Sequence, residues 1–172
     1  LVWGFAGAGV FGMALGTYFL TILSPVILEK ALALIVLAFI TFKLLNPQWK
    51  LARHIGIKWA PFAGFSAGGL QGVTGLSAPI SLSFLNSMRL NREEFIATIA
   101  VFFGLTALPQ IALLIYYDIL TLYLSFWSLL GLMPIMIFIP VGQFLADRWS
   151  PQTFDKIILT VLLVISVKLL IM

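Results

Sequence analysis

The chain has 172 residues, of which 62% are hydrophobic and 9% are charged. A soluble domain of this length needs far more surface charge, so the composition excludes that class and indicates a polytopic membrane protein. The formal net charge of +4 is not gathered into a basic run that would suggest nucleic-acid binding, and a chain without cysteine has no disulfides or thiolate metal sites.

Residues 1–45 are predicted to form two membrane spans joined by a turn at Ser24 and Pro25. The first span sets small residues four positions apart on one helical stripe, a spacing that favours close contact with another helix. These residues are Gly4, Ala8, Gly12 and Gly16. Residues 46–58 are the longest polar stretch and are predicted to be a loop at the membrane surface.

The next segment, residues 59–88, is long and rich in glycine. A straight helix of that length would extend about 45 Å, which exceeds a hydrocarbon core of about 30 Å. Gly75 and Pro79 favour a break near residues 75–78, with a half-helix on each side. Backbone freed by a break survives in a bilayer only where protein buries it or a water-filled cavity reaches it. The break is therefore a candidate binding site.

We expect backbone amides near Ala78, Ile80 and Ser81 to form a cradle for a small anion at the start of the second half-helix. Pro109 is expected to kink the span over residues 95–116 and to expose polar side chains to the same cavity. The candidate substrate-binding residues are Gln71, Thr74, Gly75, Ser77, Ala78, Pro79, Ser81, Thr106 and Gln110, and the candidate hinge residues are Gly72, Gly75, Pro79 and Pro109.

Two alternatives stay open for these residues. Gly64, Gly68 and Gly72 fall on one helical face, so they could serve close helix packing alone. Gln110 could bond the carbonyl groups that Pro109 leaves without a donor, instead of facing a solute.

Two further spans, residues 122–145 and 157–172, are predicted to complete the chain. Residues 15–37 align without a gap on residues 141–163. The alignment pairs Gly16 with Gly142, Ser24 with Ser150, Pro25 with Pro151 and Lys30 with Lys156, an offset of 142 − 16 = 126. A duplication at this offset would place about 67 residues, including a first broken helix, before Leu1. The predicted domains are then residues 1–45, the last two spans of the first repeat, 46–58, the inter-repeat loop, and 59–172, a second repeat of about four spans.

GGLQGVTGLSAPISLSFL at residues 68–85, followed by the span that ends near TALPQIALLIYYDILT at residues 106–121, resembles the sulfite exporter TauE/SafE family. The resemblance implies an all-α, polytopic transmembrane helical bundle built from a duplicated four-span unit. Each unit would hold an interrupted helix, and only the second is present here. The implied activity is a permease for sulfite, sulfonates or related small organic anions in the inner membrane. The family's hinge is closer to G-x-G-G-P than Gly75-Leu76-Ser77-Ala78-Pro79, so the class is implied more strongly than the anion.

The residue types argue against a membrane-embedded enzyme. The single histidine, His54, lies in the predicted loop, and no buried base is expected beside Ser77 or Ser81. We expect no metal and no cofactor. The predicted partners are a small anion, membrane lipid and the missing half of the first repeat, and a homo-oligomer stays open. A non-transporting structural or assembly subunit is the alternative function.

The distribution of Lys and Arg offers two topologies. If residues 59–88 cross the membrane, five of these cations lie on each side. If the segment is re-entrant, eight lie on the side of the 46–58 loop and two lie opposite. The charge rule thus favours re-entry and inverted repeats, whereas the family resemblance implies full crossings and parallel repeats. We expect full crossings.

Overall fold

The structure, a computed structural model, describes residues 1–46, 49–148 and 151–171. All regular secondary structure in these ranges is helical, which confirms the all-α prediction. The helices are α1 (Val2–Ile22), α2 (Pro25–Leu45), α3 (Arg53–Thr74), α4 (Ala78–Ser87), α5 (Arg92–Tyr116), α6 (Leu122–Arg148) and α7 (Pro151–Ile171).

Four of the described helices are long and apolar enough to cross a membrane, namely α1, α2, α5 and residues 122–142 of α6. A shorter apolar stretch, Leu159–Ile171, lies in α7. These helices confirm the prediction of a multi-pass membrane protein. α3 begins at Arg53 and not at Trp59, so the predicted 46–58 loop is too long at its carboxyl end. Residues 47–48 of that loop lie outside the described residues.

Local sequence signals explain several helix boundaries. Pro25 occupies the first turn of α2. A backbone N–H there would have no carbonyl partner within the helix, so proline loses no hydrogen bond. The side chain of Asn91 caps α5 by accepting a hydrogen bond of 2.8 Å from the amide of Glu94. α3 ends at Gly75, which has a left-handed φ of 76°. Glycine adopts this conformation without steric conflict, so the chain can leave the helix there.

Glycines bring α1 and α3 into backbone contact. A Cβ added to Gly68 would overlap the carbonyl oxygen of Gly9 and would lie 2.7 Å from its carbonyl carbon. One added to Gly72 would lie 2.7 Å from the amide nitrogen of Thr17. Such approach is typical of small residues between membrane helices. Close helix packing is therefore one role of the glycine face of α3. Since contacts advance along both helices together, α1 and α3 run in the same direction.

An aromatic cluster joins α1, α4 and α5. The rings of Phe5 and Phe84 stack with centroids 5.8 Å apart, and the centroid of Phe102 lies 5.1 Å from that of Phe5. Phe5 and Phe102 are fully buried, and Leu85 lies in the same core. Aromatic pairs at this separation contribute about 0.5–1.5 kcal/mol beyond the burial of their area. One face of α4 is thereby fixed against the bundle.

The segment after α3 returns to the side from which α3 started. The amide of Leu51, before α3, donates a 2.9 Å hydrogen bond to the carbonyl of Ser87 at the end of α4. Arg53, at the start of α3, forms a two-pronged ion pair with Glu94, at the start of α5, with distances of 2.6 and 3.0 Å. α4 is therefore antiparallel to α3. These two contacts place the start of α3 and the end of α4 on the same side of the bundle, which contradicts the expectation of full crossings.

Candidate functional site

The hinge, defined as residues Gly75–Ser77 between α3 and α4, lies within the depth of the bundle. Its neighbour Gly72 packs on Thr17 of α1, and α1 continues for another five residues to Ile22, or about 7 Å. The candidate hinge residues fall into two groups. Gly75 and Pro79 flank the break, whereas Gly72 lies within α3 and Pro109 lies within the unbroken α5.

Hydrogen bonds within the chain satisfy the first part of the hinge. The amide of Gly75 donates to the carbonyl of Gln71 at 2.7 Å. The hydroxyl of Thr74 donates to the carbonyl of Leu70 at 2.8 Å and accepts from the amide of Leu76 at 3.1 Å. Thr74 thus stabilises the turn, and its hydroxyl is already engaged on both sides.

The start of α4 folds around one carbonyl group. The oxygen of Ser77 accepts from the amides of Ile80 and Ser81, at 3.1 and 2.9 Å, and from the hydroxyl of Ser81 at 2.9 Å. The expectation that the amides of Ile80 and Ser81 are bare is wrong. α4 tightens into a short turn at its first residues, and the freed donors turn inward to the Ser77 carbonyl.

A polar cluster, formed by Gln71, Thr106 and Gln110, connects α3 to α5 beside the hinge. Gln71 Nε2 lies 3.0 Å from Thr106 Oγ1 and 3.3 Å from Gln110 Oε1. Gln110 Nε2 donates in turn to the Gln71 carbonyl at 3.1 Å. The structure therefore brings these three predicted residues together. The hydrogen bonds of the Gln110 side chain go to Gln71 of α3, and none is formed with the carbonyl groups near Pro109.

Two buried polar atoms at this level have no hydrogen-bond partner within the described protein. They are Gln71 Oε1 and the hydroxyl oxygen of Ser77, in residues that are 5% and 2% exposed. A buried polar group without a partner costs about 1–3 kcal/mol, so such groups are concentrated where a solute or water binds or where strain is stored. Gln71 precedes the hinge at the end of α3 and Ser77 belongs to it, so the two atoms mark the hinge as a candidate polar site.

A cavity of about 580 Å³ lies on the opposite face of α4, between α2, α4 and α7. Its volume is in the range of small-molecule sites. Two of the predicted site residues, Ala78 and Pro79, line it. The other lining residues are Val36, Phe39, Phe42, Lys43, Asn46, Trp49, Leu76, Leu82, Ser83, Asn86, Ser87, Arg89, Leu159 and Leu162.

The sequence prediction missed the polar part of this cavity. Lys43, Asn46, Asn86 and Arg89 are not among the candidate site residues named from the sequence. One signal was available, because Pro79, Ser83 and Asn86 are spaced by four and three positions and so share a helical face. Lys43 and Asn46 join them only through the packing of α2 near α4, which no local pattern reveals.

No group of three or more His, Cys, Asp or Glu residues that could hold a metal occurs among the described residues. Comparisons with known proteins point to a single family. The family model for the sulfite exporter TauE/SafE matches residues 1–169. No curated protein and no solved structure matches the chain. With the match over nearly its whole length, the chain belongs to the sulfite exporter TauE/SafE family, a family of membrane transporters.

Proposed function

We propose that this protein is a permease that moves sulfite, sulfonates or related small organosulfur or organic anions across the cell inner membrane by alternating access around the hinge. The chain belongs to the TauE/SafE family, and one structural observation supports the transport proposal. A cavity of about 580 Å³ runs along α4 as far as its first residues, Ala78 and Pro79. In the proposed transport cycle, this cavity would connect the membrane surface to the interrupted backbone.

The start of α4 suits an anion for electrostatic reasons. The amino-terminal end of a helix carries a partial positive charge of about half an elementary charge, which favours bound anions. The unpartnered hydroxyl of Ser77 lies at the same end and is able to donate a hydrogen bond. The nine candidate substrate-binding residues named from the sequence remain the proposed site, with Ala78 and Pro79 on the cavity side and the others around the hinge.

Neutral dipoles would hold the anion here, since no described charged residue lies beside the hinge. Neutral dipoles bind an anion weakly enough for it to be released, and a transporter must release its solute as readily as it binds it. A full positive charge in a low-dielectric site would bind an anion much more strongly. The same inventory disfavours catalysis, as no acid–base pair is present among the described residues of the site.

Movement of α4 about the hinge supplies the proposed access change. Gly75 tolerates a change of backbone conformation, and a Cβ added there would meet no atom within 4 Å. Pro79 fixes the first turn of α4 in a helical φ, so the short helix moves as a unit. Tilting α4, with Phe84 repacking against Phe5, would open the hinge alternately to each side of the membrane.

The test is flux through the full-length protein in liposomes, with labelled sulfite, sulfate, a sulfonate and a carboxylate offered in turn. We expect Thr74→Val and Pro79→Ala to lower flux by about tenfold, because they loosen the turn and the start of α4, while membrane insertion is retained. Thr41→Val is the matched control, since its hydroxyl bonds only the carbonyl of Leu37 on an exposed face of α2. If both hinge variants transport anions at the wild-type rate, the substrate-binding site does not lie at this hinge.

A further inference from the structure

We propose that one face of α6 is the docking surface for a second helical hairpin of the same protein, encoded before residue 1. This hairpin would be the first-repeat counterpart of α3 and α4, which the predicted duplication places there. The docking surface is defined as Gly131, Ile135, Phe138 and Gly142. The inference concerns the assembly of the helices, so it does not depend on which solute is transported.

α6 lacks neighbours within the described part of the chain. None of residues 122–142 is buried, and α6 packs extensively against no other described helix. A Cβ added to Gly131 or Gly142 would meet no described atom within 4 Å. Pro134 and Pro140 remove two backbone donors from α6. In membrane helices, neighbouring helices help to satisfy the carbonyl groups that prolines free, so α6 needs a partner on at least one face.

α1, the helix that the duplication matches to α6, shows what such a helix packs against. Gly16 of α1 corresponds to Gly142 at the offset of 142 − 16 = 126. A Cβ added to Gly16 would lie 3.0 Å from the carbonyl carbon of Gly69 and 3.1 Å from Cα of Gly72, both in α3. By the same relation, the counterpart of α3 would lie against Gly142.

The docking surface corresponds to a face that α1 buries. At the same offset its four residues match buried residues of α1, whereas Ile135 and Phe138 of α6 are 57% and 65% exposed. These two bulky residues replace glycines, so only the Gly142 end of α6 permits backbone contact. The matched residues of α1 are Phe5, Gly9, Gly12 and Gly16.

The contact between α2 and α7 fits the same symmetry. These helices are also a matched pair, and they pack against each other. Three buried residues of α2 correspond to buried or half-buried residues of α7, so both helices turn the same face inward. Two elements related by a two-fold axis meet through the same surface. An axis between α2 and α7 would relate the α1–α3 contact to the contact proposed for α6. The corresponding residues are Ala33 and Leu159, Val36 and Leu162, and Ile40 and Ser166.

A second copy of the protein is a poorer occupant than this hairpin. The face of α3 that meets α1 carries Gly64, Gly68 and Gly72, and a Cβ added to any of them would overlap the backbone of α1. That face is therefore already covered in each copy and is not free to pack on α6 of another copy. A hairpin from the first repeat would bring a separate helix of the same kind.

Photo-crosslinking in the full-length protein tests the occupant. With a benzophenone amino acid in place of Phe138, irradiation should join α6 to a peptide from before residue 1 while the protein still migrates as a monomer. Ile137 is the matched control position, since it corresponds to Phe11, which is 74% exposed on α1. The same probe there should lose this crosslink. A crosslinked dimer at position 138 overturns the inference in favour of a second copy, and crosslinks to lipid alone overturn it in favour of a lipid-facing α6.

A stability measurement tests the surface itself. Gly142→Leu should lower the melting temperature of the full-length protein by about 5 °C, because the larger side chain would push the docked helix away. Gly104→Leu is the matched control, since Gly104 of α5 also has no described atom within 4 Å of an added Cβ and lies outside the docking surface. Equal melting temperatures for the two variants would overturn docking at Gly142.

Discussion

At the scale of single residues, glycines that look alike in the sequence have different physical roles. Gly68 is confined by the backbone of α1, whereas nothing lies within 4 Å of a Cβ added to Gly7. Gly75 also has open space around it, but its φ of 76° excludes most side chains. Packing at Gly68 and backbone conformation at Gly75 can therefore be separated by substitution.

Gly68→Ala is expected to destabilise the protein by about 1–3 kcal/mol, because the new methyl group meets the Gly9 backbone, which cannot rotate away. Thermal unfolding in detergent, followed by size-exclusion chromatography, measures the effect. Gly7→Ala and Gly104→Ala are the matched controls with open space around the methyl group. Equal melting temperatures for all three variants would mean that α1 and α3 are not in backbone contact.

Gly75→Ala is expected to cost about 1–2 kcal/mol through its left-handed backbone, with no steric contribution from neighbours. Gly75→Asn should recover most of that loss, because asparagine tolerates this conformation better than alanine does. The same unfolding assay gives the ranking. Should Ala and Asn prove equally stable, the chain would not use a left-handed residue to leave α3.

The residue scale also shows where sequence reasoning succeeds. The single-face spacing of Gly64, Gly68 and Gly72 predicted helix packing, because helical periodicity is a local property. The amides of Ile80 and Ser81 were predicted to be free, yet both bond Ser77. Whether a donor is satisfied depends on the detailed geometry of a turn, and neighbouring residue types alone do not fix that geometry.

At the scale of helices, the α3–α4 pair is a hairpin that enters and leaves the bundle on one side. The length and glycine content of residues 59–88 were enough to predict two helices. Their relative direction was not accessible, because it depends on contacts distant in sequence, such as Leu51 with Ser87 and Arg53 with Glu94. A choice between crossing and re-entry requires those contacts.

Disulfide formation can test the hairpin directly, since the chain has no native cysteine. Met88 Cγ lies 2.9 Å from a Cβ added to Gly56, near the start of α3. A Gly56→Cys/Met88→Cys variant should therefore form a disulfide on mild oxidation, visible as a mobility shift that a reductant reverses. Gly56→Cys/Asp118→Cys is the negative control. Full crossings would keep Gly56 and Met88 on opposite sides of the membrane and prevent the bond.

At the scale of the whole molecule, the helical segments agree with the predicted duplication, which stays a prediction. Residues 15–22 and 25–37 are helical, and so are the described residues at the matched positions, 141–148 and 151–163. Ser150, part of the sequence match, lies outside the described residues. α1 and α5 both run parallel to α3. An inverted duplication predicts that α6 runs opposite to its matched helix α1.

If residues 59–88 are re-entrant, Lys and Arg are unequally distributed between the two sides. The positive-inside rule then predicts the orientation of the protein in the membrane. Eight of the ten Lys and Arg residues then lie on the side of residues 49–52, which predicts that this side is cytoplasmic. Single cysteines at Lys50 and Arg92 should be labelled by a membrane-impermeant maleimide only after spheroplasts are permeabilised. Cysteines at Ser24 and Asp118 should be labelled in intact spheroplasts. If Lys50 and Arg92 share a side but react in intact spheroplasts, the hairpin holds and the orientation is reversed. If they react on opposite sides, the segment from α3 to α4 crosses the bilayer and the hairpin is wrong.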